Sequence, residues 1–216
     1  MSLLNKKVRL MHCALDHLVI SAENLETGRD WAQNLLDIAF GARGEHVHMG
    51  THNHLTGMDR GVYLEVIAID PEAAQPLHPR WFDLDNFSGG PRLSNWVINV
   101  DDLDAALAVA PIRVGRIVEF ERGVYRWKMA VPESGVLPFD GCFPALIEWQ
   151  SEHPAPALPN HGLALRRLNL SHPNADALTT ALEPFGEAME NVRIVPARVP
   201  SLHAEIGTPS GEIWIT

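Results

Sequence analysis

The pattern of hydrophobic and polar positions predicts the same order of elements twice along the chain. In each copy a short apolar strand comes first, an amphipathic helix follows, and a later apolar strand carries a glutamate. The three elements are predicted at residues 16–21, 24–36 and 63–67 in the first copy and at 95–100, 101–110 and 145–149 in the second. An internal repeat of this kind predicts a fold more firmly than any single motif does.

A third, incomplete copy is predicted towards the end of the chain. Its elements are a strand at 163–170, a helix at 173–185 and strands at 192–195, 202–206 and 212–215. Helices segregated to one side of mostly antiparallel strands make the predicted fold class α+β, with about two and a half tandem βαβββ modules. The expected module boundaries are 12–71, 93–154 and 155–216, with 72–92 as a linker and irregular loop rich in proline and aromatic residues.

The composition is that of an ordinary globular protein of 216 residues, with 46% hydrophobic and 20% charged residues. Because the net charge is −10 and Lys and Arg are not clustered, we expect neither nucleic acid nor a membrane as a partner. The N-terminus lacks the features of a secretory signal, and residues 1–10 are interpreted as an upstream extension or a loose arm. Cys13 and Cys142 have no disulfide or metal spacing, which favours free thiols and a cytoplasmic location.

Four segments together give the chain a recognisable resemblance. They are LDHLVI at 15–20, GTHNHL at 50–55, YLEVIAIDP at 63–71 and FPALIEW followed by HP at 143–154. In order and spacing they resemble the vicinal oxygen chelate superfamily, which includes glyoxalase I, extradiol dioxygenases and bleomycin-resistance proteins. The chain is most similar to the glyoxalase-like domain family, clearly over residues 14–170 and more weakly to the end.

The resemblance implies a U-shaped sheet whose cup holds a divalent metal between the first and fourth strands of each module. Carried over residue by residue, it implies that His17, Glu65 and Glu148 are metal ligands. Asn95 stands opposite His17 in the second module, and an amide is a poor ligand for a transition metal, so it is a ligand-binding candidate instead. One nitrogen and two oxygen donors would suit Zn, Mn, Ni or Fe, or the site has lost its metal.

The two glutamates also attract attention on physical grounds alone. Glu65 and Glu148 each lie between apolar residues of a strand, where an unpaired carboxylate is costly. Either is a candidate catalytic base, and for each the alternative is a structural salt bridge. His17 likewise is either a functional group facing the cup or a core histidine bonded to a backbone carbonyl.

Residues 46–54 contain the densest polar cluster of the chain. In it His48 and His54 are candidates for donating a proton or a hydrogen bond to a carbonyl substrate, the alternative being a solvated loop. Thr51 and Asn53 are expected to orient a ligand or to fix the loop. Trp127, flanked by cationic residues, is expected to line the second half of the cup.

Two functions remain open from the sequence. The first is a divalent-metal-dependent enzyme of the lyase, isomerase or dioxygenase type that acts on a small, oxygen-rich carbonyl compound. The alternative is a metal-free protein that binds or sequesters a small molecule on the same scaffold. A purely structural role is a third option, and a homodimer is an assembly that the resemblance allows.

Overall fold

Two central strands of the computed structural model, β1 (Cys13–Ser21) and β5 (Arg92–Val100), pair antiparallel and join the first two copies. The structure describes residues 11–216, so the predicted extension at 1–10 lies outside the described residues. The other strands of this sheet are β2 (Gly44–His46), β3 (Thr51–Gly57), β4 (Tyr63–Ile69), β6 (Arg116–Arg122), β7 (Tyr125–Val131) and β8 (Ala145–Trp149). Their order is β2-β3-β4-β1-β5-β8-β7-β6, and β1 pairs in parallel with β4 as β5 does with β8.

The third copy forms a second sheet of four strands in the order β10-β9-β11-β12. Its strands are β9 (Ala164–His172), β10 (Val192–Pro196), β11 (Ser201–Thr208) and β12 (Gly211–Ile215), and the helices of the three copies are α1 (Leu25–Leu36), α2 (Leu103–Val109) and α3 (Ala175–Leu182). The predicted α+β fold of βαβββ copies with a curled, mostly antiparallel sheet is confirmed. Within residues 11–216 no helix has the length and apolar character needed to cross a bilayer.

The sheet separates two apolar cores. Leu18 and Ile20 point to the core under the helices, whereas Val19 between them points into the cup. This alternation follows from the two-residue period of a strand. Each of the first two helices begins at a side-chain cap, where Asn24 accepts from the Thr27 amide and Asp102 from the Ala105 amide.

Strand β1 contains a bulge at the position that matters most for the cup. The β1–β5 register shifts between Leu15 and His17, so Asp16 is an extra residue in the ladder. A bulge breaks the alternation of faces and re-aims the inserted side chain. As a result the adjacent side chains of Asp16 and His17 are both buried, with 1% and 3% of their surface exposed.

The segment expected to be a linker, 72–92, folds back and fills much of the cup. A short 3₁₀ turn at Trp81–Asn86 places Trp81, Phe82 and Leu84 in the cup-side core. Phe82 and the following Asp83 have φ angles of 57° and 56°, a left-handed conformation that side-chain-bearing residues rarely adopt. The cup is therefore divided rather than open.

Hydrogen bonds within the turn and to the segment around Gly135 hold this turn in place. The buried Arg80 donates from Nη1 to Asp85 Oδ1 at 2.6 Å, and its backbone N–H donates to Asp85 Oδ2 at 2.7 Å. Burial would raise the pKa of Asp85, but these bonds and the guanidinium charge outweigh it and lower the pKa. The Asp83 amide also donates to the carbonyl of Gly135 at 3.0 Å.

Gly135→Ala tests this arrangement. Gly135 has φ +76°, and a Cβ there would lie 2.0 Å from the carbonyl oxygen of Arg80, so the turn that carries Trp81 would have to move. We expect the free energy of unfolding in urea to fall by about 2 kcal/mol or more. Gly186→Ala, at a glycine with open space around it, is the control and should lie within about 1 kcal/mol of the wild type. Equal losses in the two variants would contradict the fastening role.

Candidate functional site

A small chamber lies in the cup between the first two copies. Its cavity volume is about 30 Å³, which is room for about one water molecule. It is lined by His17, His46, Asn53, Leu55, Tyr63, Glu65, Trp81, Phe82, Arg122, Trp127, Met129, Ile147 and Trp149. Its polar and titratable groups come from strands β1 to β4 and β6, while β7 and β8 contribute aromatic and apolar side chains.

His17 is held between two buried carboxylates at the centre of this chamber. Its Nδ1 lies 2.6 Å from Asp16 Oδ1, and its Nε2 lies 3.4 Å from Glu65 Oε2. Burial alone would lower the pKa of His17, but hydrogen bonds and charge from both carboxylates outweigh it and raise the pKa to about 9. His17 is therefore an imidazolium at neutral pH.

The carboxylates are stabilised in turn. Burial would raise the pKa of both, yet His153 and His17 hold the pKa of Asp16 well below its usual range, and His17 lowers that of Glu65. Asp16 Oδ2 accepts from Trp149 Nε1 at 2.8 Å and lies 3.0 Å from His153 Nε2. Both acids are consequently ionised at neutral pH.

The side-chain amide of Asn53 links Glu65 to Arg122 of the second copy by hydrogen bonds. Asn53 Nδ2 donates to Glu65 Oε1 at 2.6 Å, and Asn53 Oδ1 accepts from Arg122 Nη1 at 3.0 Å. His46 Nε2 lies close to both donors, while its Nδ1 is 3.1 Å from Thr51 Oγ1. Burial, together with the charges of Arg122 and His17, lowers the pKa of His46 to about 4, so His46 is neutral.

A larger cleft adjoins the chamber. It has a volume of about 1000 Å³ and shares Asn53, Leu55 and Arg122 with the chamber wall. These three residues therefore lie at the boundary between the chamber and the cleft. A ligand larger than water would therefore meet Arg122 and Asn53 first.

Glu148 does not join this group, so its expected convergence with His17 and Glu65 is wrong. Its Oε2 accepts from the Leu103 amide at 2.7 Å and so caps the first turn of α2, and its Oε1 accepts from Gln150. The side chain lies on the helix face of β8 and is partly exposed. Its neighbours Ile147 and Trp149 face the chamber instead.

The cause is a displacement of three residues between the two copies. Glu65 pairs with Val19, and Ala145 pairs with Val97. Aligning the first residues of α1 and α2 makes Val19 equivalent to Val97, so the counterpart of Glu65 is Ala145. Glu148 lies three positions further on, and an odd displacement in a strand reverses the face of the side chain.

The other predicted residues divide between the chamber and its surroundings. Asn53 and Trp127 line the chamber, as expected, and Thr51 lies behind it in contact with His46. His54 faces away, with Nδ1 bonded to the carbonyl of Gly41 at 2.8 Å. His48 is exposed, its ring 4.8 Å from that of His78, so neither histidine is placed to act in the chamber.

Asn95 is buried but lies elsewhere. It lines a different cavity, on the far side of Phe82, and not the chamber around His17. Its predicted role in ligand binding therefore does not concern the chamber. The division of the cup by the turn at 81–86 accounts for the separation.

Sequence reasoning missed Asp16, His46 and Arg122. For Asp16 a signal existed, since it is a charged residue within an apolar strand, next to His17. His46 belongs to the polar cluster at 46–54, but the sequence does not single it out. For Arg122 the sequence offers no signal, because only the folded edge strand β6 brings it to Asn53.

Comparison with known proteins fits this architecture. A model of the family described as glyoxalase-like domain matches residues 15–186. The chain belongs to that family. It is a branch of the vicinal oxygen chelate superfamily, as the sequence resemblance indicated.

Several solved structures are similar to this chain at low sequence identity, and the first of those named below has the same fold. A hypothetical protein from Staphylococcus aureus is similar over 88% of each chain, with 13% identity and a TM-score of 0.63. The match to methylmalonyl-CoA epimerase from Mycobacterium tuberculosis covers 67% of this chain and 91% of the epimerase chain, with 16% identity and a TM-score of 0.44. A mutant 4-hydroxymandelate synthase from Streptomyces coelicolor covers 65% and 50%, with 14% identity and a TM-score of 0.43. No curated protein matches the chain significantly.

Members of this superfamily often use a divalent metal. The question for this glyoxalase-like chain is whether its side chains could hold such an ion. Among residues 11–216 no group of three or more His, Cys, Asp or Glu side chains is arranged to hold an ion. His17 and Glu65 are two adjacent donors, but their counterparts in the second copy are Asn95 and Ala145. The guanidinium of Arg122 reaches the same polar cluster. The residues present therefore do not fit a resident metal, for which three protein ligands are usual in a catalytic zinc site.

The raised pKa of His17 predicts how the stability of this protein depends on pH. An imidazole with a folded-state pKa of about 9 and an ordinary value of 6.5 stabilises the fold fully below pH 6.5 and loses that contribution as pH rises through 9. We expect the free energy of unfolding to fall by roughly 2 kcal/mol between pH 7 and pH 9. Urea unfolding at the two pH values, with an NMR titration of the His17 ring, measures this.

Two glutamate variants provide the comparison. Glu65→Gln removes one partner of the imidazolium, so the titration of His17 should move to lower pH. Glu148→Gln lies outside the chamber and should leave the titration unchanged. A His17 ring that titrates at its ordinary pKa in the wild type would refute the ion-paired arrangement.

The side chains around His17 also predict that the protein binds no divalent ion tightly. Protein purified without chelators should contain far less than one divalent ion per chain, as measured by inductively coupled plasma mass spectrometry. EDTA should leave the midpoint of thermal unfolding unchanged, since no bound ion stabilises the folded state. A stoichiometric ion that is lost in His17→Ala would show that the donor set is sufficient after all.

Proposed function

We propose that this glyoxalase-like protein is a proton-transfer enzyme, of the isomerase or lyase type, for a small compound with a carbonyl group beside a second oxygen function. One observation carries the proposal: a buried carboxylate, Glu65, and a buried imidazolium, His17, lie 3.4 Å apart on the wall of one chamber. Such perturbed, mutually dependent groups are concentrated at functional sites. A structural ion pair would not need to face a cavity.

The two groups have complementary roles in this proposal. Glu65 is ionised and accepts the proton from the carbon next to the substrate carbonyl, which leaves an enolate. His17 Nε2 then donates its proton to the oxygen or to the carbon of the enolate, which leaves a neutral imidazole. The proton that Glu65 took from the substrate passes to His17, and both groups return to their starting states. Asp16, 2.6 Å from Nδ1, fixes the orientation of the ring and stabilises its charge.

A lowered pKa makes Glu65 a weak base, so stabilisation of the enolate has to contribute most of the rate enhancement. Arg122 is the cation best placed to hold the oxygens of the substrate, because it lies at the boundary of the chamber and the cleft. Trp81 lines the chamber too, and its Nε1–H has no hydrogen-bond partner among the described residues. It can donate to a substrate oxygen.

The volume of the chamber sets a condition on this reaction. A cavity of about 30 Å³ holds water but no organic substrate, so the aromatic wall has to shift when a substrate enters from the cleft. None of the proposed steps passes through a metal ion. The metal-dependent form of the reaction, which the resemblance implies, would require ligands that the second copy does not provide.

The adjoining cleft also supports the alternative function. A protein that binds a small molecule without transforming it would also present Arg122 and Asn53 at the mouth of a polar cleft. The two functions differ in whether a carbon-bound proton of the ligand exchanges. That difference can be measured directly.

The test is proton exchange in D₂O. Pyruvate, 2-oxobutyrate and acetoacetate are incubated with the protein, and the loss of the signal from the hydrogens next to the carbonyl is followed by ¹H NMR. We expect exchange above the uncatalysed rate for at least one of them and a loss of about 10²-fold or more in Glu65→Gln. Arg122→Met should mainly raise KM, because it removes the charge that binds substrate.

Glu148→Gln is the matched control, since the chain offers a second strand glutamate that caps α2 and does not face the chamber. Its exchange rate should equal that of the wild type. Binding of these compounds without any exchange would favour the alternative function. Exchange that is unaffected by Glu65→Gln would refute the assignment of the base.

A further inference from the structure

A second cavity, with a volume of about 380 Å³, lies on the opposite side of Phe82 from the chamber. It is enclosed by the start of β5, the segments 82–87 and 136–141, and the start of β11 in the four-stranded sheet. Its size is in the range typical of sites for small molecules, which often form where two layers of a protein meet. Nothing in the proposed reaction uses it.

Asn95 gives this cavity a specific chemical requirement. The residue is 4% exposed and lines the wall, and its Oδ1 has no hydrogen-bond partner among the described residues. A buried acceptor without a partner is costly, and native structures contain few of them. Asn95 is also the counterpart of His17, so the second copy places a neutral amide where the first copy places a charged ring.

Two of the donors in the wall are already engaged. Arg92 Nη1 donates to the carbonyl of Ser88 at 2.8 Å, and the guanidinium lies 4.0 Å from the centre of the Phe87 ring. Ser94 Oγ is bonded to Ser21 Oγ at 2.6 Å. These two groups are therefore less free to donate to a ligand.

Acceptors remain in excess. Besides Asn95 Oδ1, the carboxylates of Asp83 and Asp140 belong to the wall, and the side chain of Asp140 is 72% exposed. Asp83 Oδ1 accepts from Asn86 Nδ2 at 2.6 Å, and Asp140 Oδ2 lies 3.4 Å from His172 Nε2, so each carboxylate has a second oxygen to offer a ligand. The rings of Phe82 and Phe87 supply apolar surface beside them. A matching ligand has several hydrogen-bond donors, some apolar C–H surface and no negative charge.

We propose that this cavity binds a small, uncharged polyhydroxy compound of monosaccharide size. One hydroxyl of the ligand donates to Asn95 Oδ1, further hydroxyls donate to the two carboxylates, and a C–H face packs on a phenyl ring. The inference is independent of the proposed proton transfer. It also gives the four-stranded sheet a role, because residues from the start of β11 complete the wall.

The test uses D-glucose and D-ribose as probes, with binding followed by saturation-transfer NMR and calorimetry on the full chain. We expect saturable binding of at least one of them, weakened about tenfold or more in Asn95→Ala, which removes the unpaired acceptor. Asn99→Ala, at an asparagine on the same strand outside the cavity, is the matched control and should bind as the wild type does. Glu65→Gln should also bind normally, which separates this site from the chamber.

Three outcomes would overturn the proposal. They are the absence of saturation with both sugars up to tens of millimolar, binding that survives Asn95→Ala, and binding of propylamine in place of the sugars. Should Asn95→Ala fail to fold, Asp140→Asn serves instead, because its largely exposed side chain can change without disturbing the core. Binding that is unchanged in Asp140→Asn would then count against the site.

Discussion

The antiparallel pairing of β1 with β5 is the contact on which the site depends. It joins the two copies into one sheet, and the bulge within it places Asp16 beside His17. A regular strand would send these neighbours to opposite faces. Asp16 would then meet the helix-side core, and His17 would face the chamber with a single carboxylate. Both the raised pKa of His17 and its fixed orientation follow from this one irregularity.

The chamber then has to balance four buried or partly buried charges. Asp16 and Glu65 are anionic, and His17 and Arg122 are cationic, so the group as a whole is neutral. Removing any one member would leave an uncompensated charge in a dry environment, which is strongly unfavourable. Replacing a buried ion pair with apolar residues of similar volume is often neutral or stabilising, so a charged group beside a cavity is weak evidence for a purely structural role.

The fold could be predicted from the sequence because the same pattern of elements occurs more than once along the chain. Two strand–helix–strand patterns with the same spacing constrain each other, and the family resemblance rests on their order. The site was less predictable because it depends on register. The two-residue period would have separated Asn53, which faces the chamber, from His54, which faces α1. The two-residue period does not predict the direction of the Asp16 side chain, because Asp16 lies in a bulge. Arg122 reaches the site through the long-range pairing of β6, which no local sequence pattern indicates.

The segment 72–92 shows a related limit. Its prolines and aromatic residues suggest a linker, yet Trp81 and Phe82 become part of the cup-side core. Apolar side chains in an irregular segment have no periodicity, so the sequence does not indicate which surface they cover. The backbone strain at Phe82 and Asp83 is tolerated because Arg80, Asp85 and Gly135 fasten the turn.

The two glutamates illustrate why the face of a strand decides more than the residue type. Glu65 faces the cup, where it is buried, and it is stabilised by His17 and Asn53. Glu148 faces the helices, where the free amide of Leu103 at the start of α2 supplies its partner. Both carboxylates avoid the same desolvation cost, one within a charged chamber and the other as a helix cap. A glutamate between apolar strand residues therefore indicates a stabilised carboxylate, and only the register tells whether that carboxylate is available for chemistry.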